Sequence, residues 1–413
     1  MRTGLVLGGG SARGAYEAGV VSYVRTELAR ELGFHVPLDI FAGTSVGALN
    51  AAWLAGTAHD PDLQGRGIVE TWKALRIEEI LQFGVTDVWR VAREFFGKTP
   101  IRWESGLTGG LVNPAGLLNV VARVVPWRAV NANIRAGTVQ GVAISATHVA
   151  TGQNIIFVQR PGGGCPPWSR DPNTAAMAVR IGPKHALASA ALPVFFPSVR
   201  VGGHLYVDGG LRHNLPLSPA LRLGAERVII VPLRHQPSPG EVRQRAALAQ
   251  RDNHVGSAPF LLGKTMNALL LDSTDQDLDR LDRMNTLIEA GIAAYGEGYV
   301  QTLNAALVPL RQQPVRHVRR IVIRPSSDIG ALAAEYIRSA EFKKRVKGRL
   351  VGNVIQRMAE REGGSENDLV SYLLFDGGFA DQLIQMGFAD ARAQKAEWLR
   401  FFSEDRPRRE EVA

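Results

Sequence analysis

Twice near its N-terminus the chain runs a short apolar stretch into glycine and then into a helical pattern, and few folds accommodate that order. "GLVLGGG" reads as a buried strand ending in a glycine loop, and "SARGAYEAGVVSYVRTELARELG" carries helical periodicity to a stop at Gly33. "PLDIFAG" followed by "TSVGALNAAWLAG" repeats the plan. Further on, "GVAISATHVATGQNIIFV" predicts two strands joined around Thr151-Gly152, and "HLYVDGG", "RVIIVP" and "RRIVIRP" predict three more. Short strands alternating with helices argue for an α/β domain with a mostly parallel sheet.

Two segments interrupt the plan. Residues 71–130 include "ILQFGVTDVWRVAREFFG", with Trp and Phe on a helical period, and predict a cover over a site. Within it, 81–96 reads either as a buried core helix or as a lid or membrane-facing helix carrying Trp89 and Phe95. Residues 236–315 hold Leu278, Leu281, Leu287 and Ile288 at helical spacing and predict a helical insertion before the last strand. From 331 to 413 the pattern is helical and charged, with "SEND" as a capping sequence before "LVSYLLF". The expected organisation is a main domain over 1–330 and a C-terminal helical extension over 331–413.

Composition narrows the setting. With 413 residues and 45% hydrophobic content the chain has the makings of a packed core. Cys165 is the single cysteine, which excludes an intramolecular disulfide, and no basic segment with a long apolar run and cleavage site opens the sequence. A cytoplasmic protein is expected. No apolar stretch approaches the roughly 18 to 20 residues that span a bilayer, so any membrane contact is expected to be peripheral. The formal charge of +9, with arginine well ahead of lysine, favours phosphate-bearing surfaces. No nucleic-acid recognition motif accompanies it, so nucleic acid is not an expected partner. The basic run at 341–349 reads as a solvated helix face, with membrane contact as the alternative.

Gly43-Thr44-Ser45-Val46-Gly47 fits G-x-S-x-G, in which a serine sits on a strained strand-to-helix turn between residues small enough to let the backbone bend. A serine that merely caps the helix is the alternative. A nucleophilic serine needs a base for its proton and donors for the oxyanion. The loop Gly8-Gly9-Gly10-Ser11-Ala12-Arg13-Gly14 offers backbone N–H groups. It is not a dinucleotide fingerprint: counted from Gly8 the sixth position is Arg13, and counted from Gly9 the third is Ser11. Nor does this loop carry Gly-Lys-Ser/Thr, which stands elsewhere at Gly97-Lys98-Thr99 and Gly263-Lys264-Thr265 without the glycine that a Walker loop needs five residues earlier.

The candidate base is Asp208 in "HLYVDGGLRHNLPL", at a strand end, where Gly209 and Gly210 let backbone and partner approach; a plain turn is the alternative. His213 leaves a triad open but is expected to be superficial or structural. Ser45 follows only about two strands, fewer than in an α/β-hydrolase with a late histidine. A second Asp-Gly-Gly at Asp376 reads as a helix break. No His/Cys/Glu cluster has metal-ligand spacing, and neither metal nor cofactor is expected.

Three blocks in order and spacing, "LGGGSARGAYEAGVV", "GTSVGALNA" and "VDGG" preceded by "ASAALPVFFPSV", resemble the patatin-like phospholipase family over roughly the first 235 residues. The tail "SYLLFDGGFADQLIQMGFADA" is similar to the C-terminal part of longer bacterial members. The resemblance implies a three-layer α/β/α sandwich and a Ser-Asp dyad without histidine. Ser45 would attack an acyl ester, Asp208 would take its proton, and Gly9, Gly10 and Ser11 would supply oxyanion N–H groups. It also implies a phospholipid or related acyl-ester substrate. Ser11 departs from the family's third loop glycine: a positive φ there would strain it, or the donors would shift to Gly8, Gly9 and Gly10. Arg13 reads as a loop-stabilising residue or as a group near a lipid phosphate. An acyltransferase using the same acyl-serine, and a lipid-binding or regulatory protein without turnover, are the competing functions.

Overall fold

The computed structural model describes residues 1–80, 113–168, 171–193, 195–249, 258–271, 274–310, 314–346, 352, 355–356 and 368–403. The strands are β1 (Thr3–Leu7), β2 (Ile40–Thr44), β3 (Gly141–His148), β4 (Asn154–Gln159), β5 (Thr174–Ala178), β6 (Val199–Val201), β7 (His204–Asp208), β8 (Arg227–Val231) and β9 (Arg319–Val322). They form one sheet ordered β5-β4-β3-β2-β1-β8-β9, with β7 paired to β3 and β6 to β7. The run β3-β2-β1-β8-β9 is parallel throughout. The strands expected from sequence are present; β5 and β6 are additions.

Residues of the central strands alternate between two cores, as the period of two in a pleated strand requires. Leu5, Leu7, Phe41, Ile144, Ile229 and Val231 face one core, while Val6, Ile40, Ala42, Ala143, Val228 and Ile230 face the other. Helices cover both faces, giving the expected three-layer α/β/α sandwich. The second face is covered by the helix Leu217–Arg222 and by Leu278 and Leu281 of the helix Thr274–Tyr295, which belongs to the insertion over 236–315.

The first helical run starts as a 3-10 turn at Ser11–Gly14, continues as the α-helix Ala15–Tyr23 and passes a π turn at Val24–Leu28. It ends at Gly33, whose φ of 82° ordinary residues avoid. The helix Gly377–Ala393 lies against it. A Cβ added to Gly19 would fall 2.1 Å from Ile384 O, and one added to Gly387 would fall 2.2 Å from Tyr16 O. The two backbones therefore touch, which only glycine permits. Asp376, at the expected helix break, caps this C-terminal helix by accepting from Gly378 N and Phe379 N. It also pairs with Tyr336 and Arg345.

Residues after 331 are helical where described and share the main core through Phe342, Tyr372, Phe379 and Trp398. In the basic run, Phe342 and Val346 are buried while Lys343 and Lys344 are exposed, as on a solvated helix face. The aromatic-rich stretch 81–96, with Trp89 and Phe95, lies outside the described residues. No helix among the described residues is long and apolar enough to cross a membrane.

Gly387→Ala should lower stability by roughly 2–3 kcal/mol through overpacking of the helix contact, read as a drop in urea midpoint without a change in slope. Wild-type stability would show that the two helices can separate at no cost.

Candidate active site

The sheet register places the two candidate residues side by side. β2 runs along one edge of β3 and pairs Thr44 with Ser145, then stops. β7 enters the vacated edge from the opposite direction and pairs Asp208 with Ala146, the next residue of β3. Ser45 and Asp208 are thus neighbours across strand ends, and Ser45 Oγ donates to Asp208 Oδ2 at 2.6 Å. β4 occupies the other edge of β3, so the slot has no second entrant.

At Ser45 the backbone turns from strand to the helix Val46–Gly56 with φ 54° and ψ −123°, a conformation that L-residues rarely hold. Ser45 precedes this helix without capping it by its side chain, which removes the capping-serine alternative. The glycines on either side have steric reasons. A Cβ on Gly43 would lie 2.1 Å from Gly47 O, and one on Gly47 would lie 2.5 Å from Leu7 O and 2.6 Å from Gly8 O. The turn is packed directly on the end of β1. Ser45 N donates to Ser189 Oγ at 2.8 Å, and Ser189 Oγ donates to Ser145 O at 2.6 Å, so the strained peptide is tied to β3.

Asp208 is buried, and burial pushes its carboxyl up from 3.8 to about 7 against the hydrogen bonds from Ser45 and Gly210. Gly210 N donates to Asp208 Oδ1 at 2.7 Å. Gly209 packs where a Cβ would be 2.3 Å from Ser145 O. Of the Asp-Gly-Gly, one glycine lets the turn pass β3 and the other aims the carboxylate. His213 takes no part: its ring Nε2 is 3.4 Å from Asp277 Oδ2, and only its carbonyl reaches the site, accepting from Thr44 Oγ1 at 2.9 Å.

The glycine loop lies over Ser45, and a Cβ on Gly9 would be 3.2 Å from Ser45 Cβ. Its amides are not equivalent. Gly8 N donates to Val231 O and Gly9 N to Asn214 O, each at 3.2 Å. Of the expected oxyanion donors, Gly9 is thus engaged by Asn214, and in the donor set shifted to Gly8–Gly10 both Gly8 and Gly9 are engaged. Gly10 N and Ser11 N have no acceptor among the described residues. Ser11 does take the positive φ, 55°, that its departure from glycine made costly. Gly14 meets the start of the Ser45 helix, where a Cβ would be 2.4 Å from Val46 Cγ2. Arg13 is buried and directed to C-terminal residues, which favours the loop-stabilising reading over a lipid phosphate.

Two residues of the site were missed in the sequence. Asn214 clasps Gly9 by accepting its N–H and donating Nδ2 to Gly9 O at 3.2 Å. Ser189 holds the Ser45 peptide. Both lie in stretches noted for other residues, "LRHNLPL" and "ASAALPVFF". Val46, the residue after Ser45, lines an apolar cavity of about 60 Å³ together with Leu49, Trp72, Leu117, Val121 and Phe375.

A family model described as patatin-like phospholipase matches residues 5–221. Among solved structures, VipD from Legionella pneumophila is matched at 14% identity with a TM-score of 0.29, over 93% of this chain and 67% of that one.

Because Asp208 holds its proton in the folded state up to about pH 7 and releases it near 3.8 when unfolded, its contribution to stability is present below 3.8 and lost as pH rises to about 7. Relative to Asp208→Asn, the wild type should lose roughly 2–3 kcal/mol between pH 5 and pH 8 in paired denaturation curves. Parallel curves at both pH values would refute the raised carboxyl.

Proposed function

The chain belongs to the patatin-like phospholipase family, and on that premise we propose that it is a serine lipid acyl hydrolase, with Ser45 as nucleophile and Asp208 as general base. The observation that carries the reading is the 2.6 Å hydrogen bond between Ser45 Oγ and a buried carboxylate.

In the ionised form Asp208 accepts the Ser45 proton as Oγ attacks the ester carbonyl. Gly10 N–H and Ser11 N–H hold the oxygen that becomes negative, and the lack of an acceptor for these amides among the described residues supports that role. The C–O bond then breaks, and the proton on Asp208 goes to the departing alkoxide. Water attacks the acyl-Ser45, losing its proton to Asp208, and the free acid leaves as Oγ is reprotonated. A carboxyl near 7 is well matched to both proton transfers, whereas an ordinary carboxylate is too weak a base. No histidine is needed because burial raises the basicity of Asp208.

The apolar cavity beginning at Val46, the residue after the nucleophile, supports an acyl chain as the group bound on the acid side of the ester. A lipid substrate makes contact with a membrane surface peripheral.

Hydrolysis of a short-chain p-nitrophenyl ester, with fluorophosphonate labelling in parallel, tests the proposal. Wild type should turn over and label, Ser45→Ala should do neither, and Asp208→Asn should lose about 10²–10⁴-fold in kcat. Folded wild type that binds lipid vesicles yet neither turns over nor labels would make this a binding protein. The same assay across pH should give kcat/KM rising through about pH 7, since only ionised Asp208 accepts the proton. A limb near pH 4 would mean that the base is an exposed, ordinary carboxylate.

A further inference from the structure

The glycine loop ends in Arg13, whose guanidinium is turned away from solvent and is 3% exposed. Its Nε donates to Ser371 Oγ at 2.9 Å, 358 residues further along the chain. Its Nη2 reaches Asp368 at both the carbonyl oxygen, 3.4 Å, and Oδ1, 3.3 Å. The guanidinium carbon lies 4.1 Å from the centre of the Tyr372 ring, a cation–π contact. All three partners belong to the short helix Asp368–Leu373.

That helix is held in turn by the insertion: Lys264 Nζ donates to Asp368 Oδ2 and Tyr372 OH to Asn267 Oδ1, both at 2.7 Å. Burial alone would raise the Asp368 carboxyl, but Arg13 and Lys264 outweigh it and keep it below its usual range. Neither the helix nor Lys264 lies within residues 5–221, so the partners of this loop arginine come from outside the matched region.

The anchor bears on the oxyanion amides through one peptide group. Arg13 N donates to Gly10 O at 3.1 Å. The Gly10 carbonyl and the Ser11 N–H belong to the same planar trans peptide and point in opposite directions, so fixing one fixes the other. Ser11 sits at a φ of 55°, a conformation that persists only where its surroundings enforce it. Resting on the hydrolase reading above, we propose that the helix Asp368–Leu373 is part of the working active site: by clamping Arg13 it sets the direction of the Ser11 N–H. Arg13, Asp368, Ser371 and Tyr372 are positioning residues and touch no substrate.

The test compares Arg13→Lys, Asp368→Asn and their double variant in the full chain, with Tyr336→Phe as control. Tyr336 bonds Asp376 in the same C-terminal packing, on the far side of the helix break from Arg13's partners Asp368, Ser371 and Tyr372. Lysine can reproduce neither the forked contacts nor the ring stacking of arginine. Each single variant should lower kcat of ester hydrolysis about 10–100-fold with KM within about twofold, because the amide acts in the transition state. The double variant should lose no more than the worse single, since the two residues act as one unit. Amide hydrogen exchange over residues 8–14 should quicken in all three and stay at the wild-type rate in Tyr336→Phe.

Turnover and exchange within twofold of wild type in Arg13→Lys and Asp368→Asn would overturn the proposal, as would an equal loss in Tyr336→Phe at a matched drop in melting temperature. Failure of the hydrolase reading would look different: wild type inert toward the ester, with exchange at 8–14 still faster in the variants, leaving the clamp as an anchor for a binding loop.

Discussion

Everything at this site depends on a gap in the sheet. β2 ends one residue short of where β7 begins along the same edge of β3, and Ser45 and Asp208 are the residues on either side of that junction. The hydrogen bond between them joins positions 163 residues apart, yet strand register alone brings the two backbones together. Side-chain chemistry then needs only a favourable rotamer on each. Gly209 is crowded against Ser145 O of β3 at this junction, while Gly43 and Gly47 are crowded where the Ser45 turn folds back on itself and on the end of β1.

The junction also determines the electrostatics. The Asp208 carboxylate, at the end of β7 where it meets the central strand β3, is desolvated, and only two hydrogen bonds favour its charge. Arg13, the charged residue of the neighbouring loop, is turned to Asp368 instead. Had its guanidinium faced Asp208, Coulomb attraction would have lowered the carboxyl and weakened it as a base. The assignment of Arg13 to a distant partner and the raised carboxyl of Asp208 are thus two sides of one arrangement.

What could be read in the sequence was local. Strand-to-helix turns with their glycines, the stop at Gly33 and the short continuous apolar runs of β1, β2 and β8 are written in consecutive residues. So were Ser45 and Asp208, each set by the small residues next to it. What could not be read depends on pairing between distant segments. "TAAMA" carries little β-branched or aromatic character and "VRV" is only three residues long, so neither announces β5 or β6, which form because β4 and β7 offer them an edge. Gly9 was among the oxyanion donors that the family resemblance implied; which amides remain free depends on Asn214 and Val231, and no spacing rule reaches them.

Ser11 shows why the C-terminal helices belong to an account of the site. A glycine at a positive φ would hold that conformation at little cost, and a loop built so would need no support. With serine there, the local preference opposes the geometry that leaves the Gly10 and Ser11 amides free, and something outside the loop must oppose it in turn. The contacts of Arg13 are the ones in position to do so, and they draw on residues from near both ends of the chain and on the insertion between them. On this view the contacts of Arg13 with the helix Asp368–Leu373, itself seated in the main core, are what keep a strained serine loop in working order.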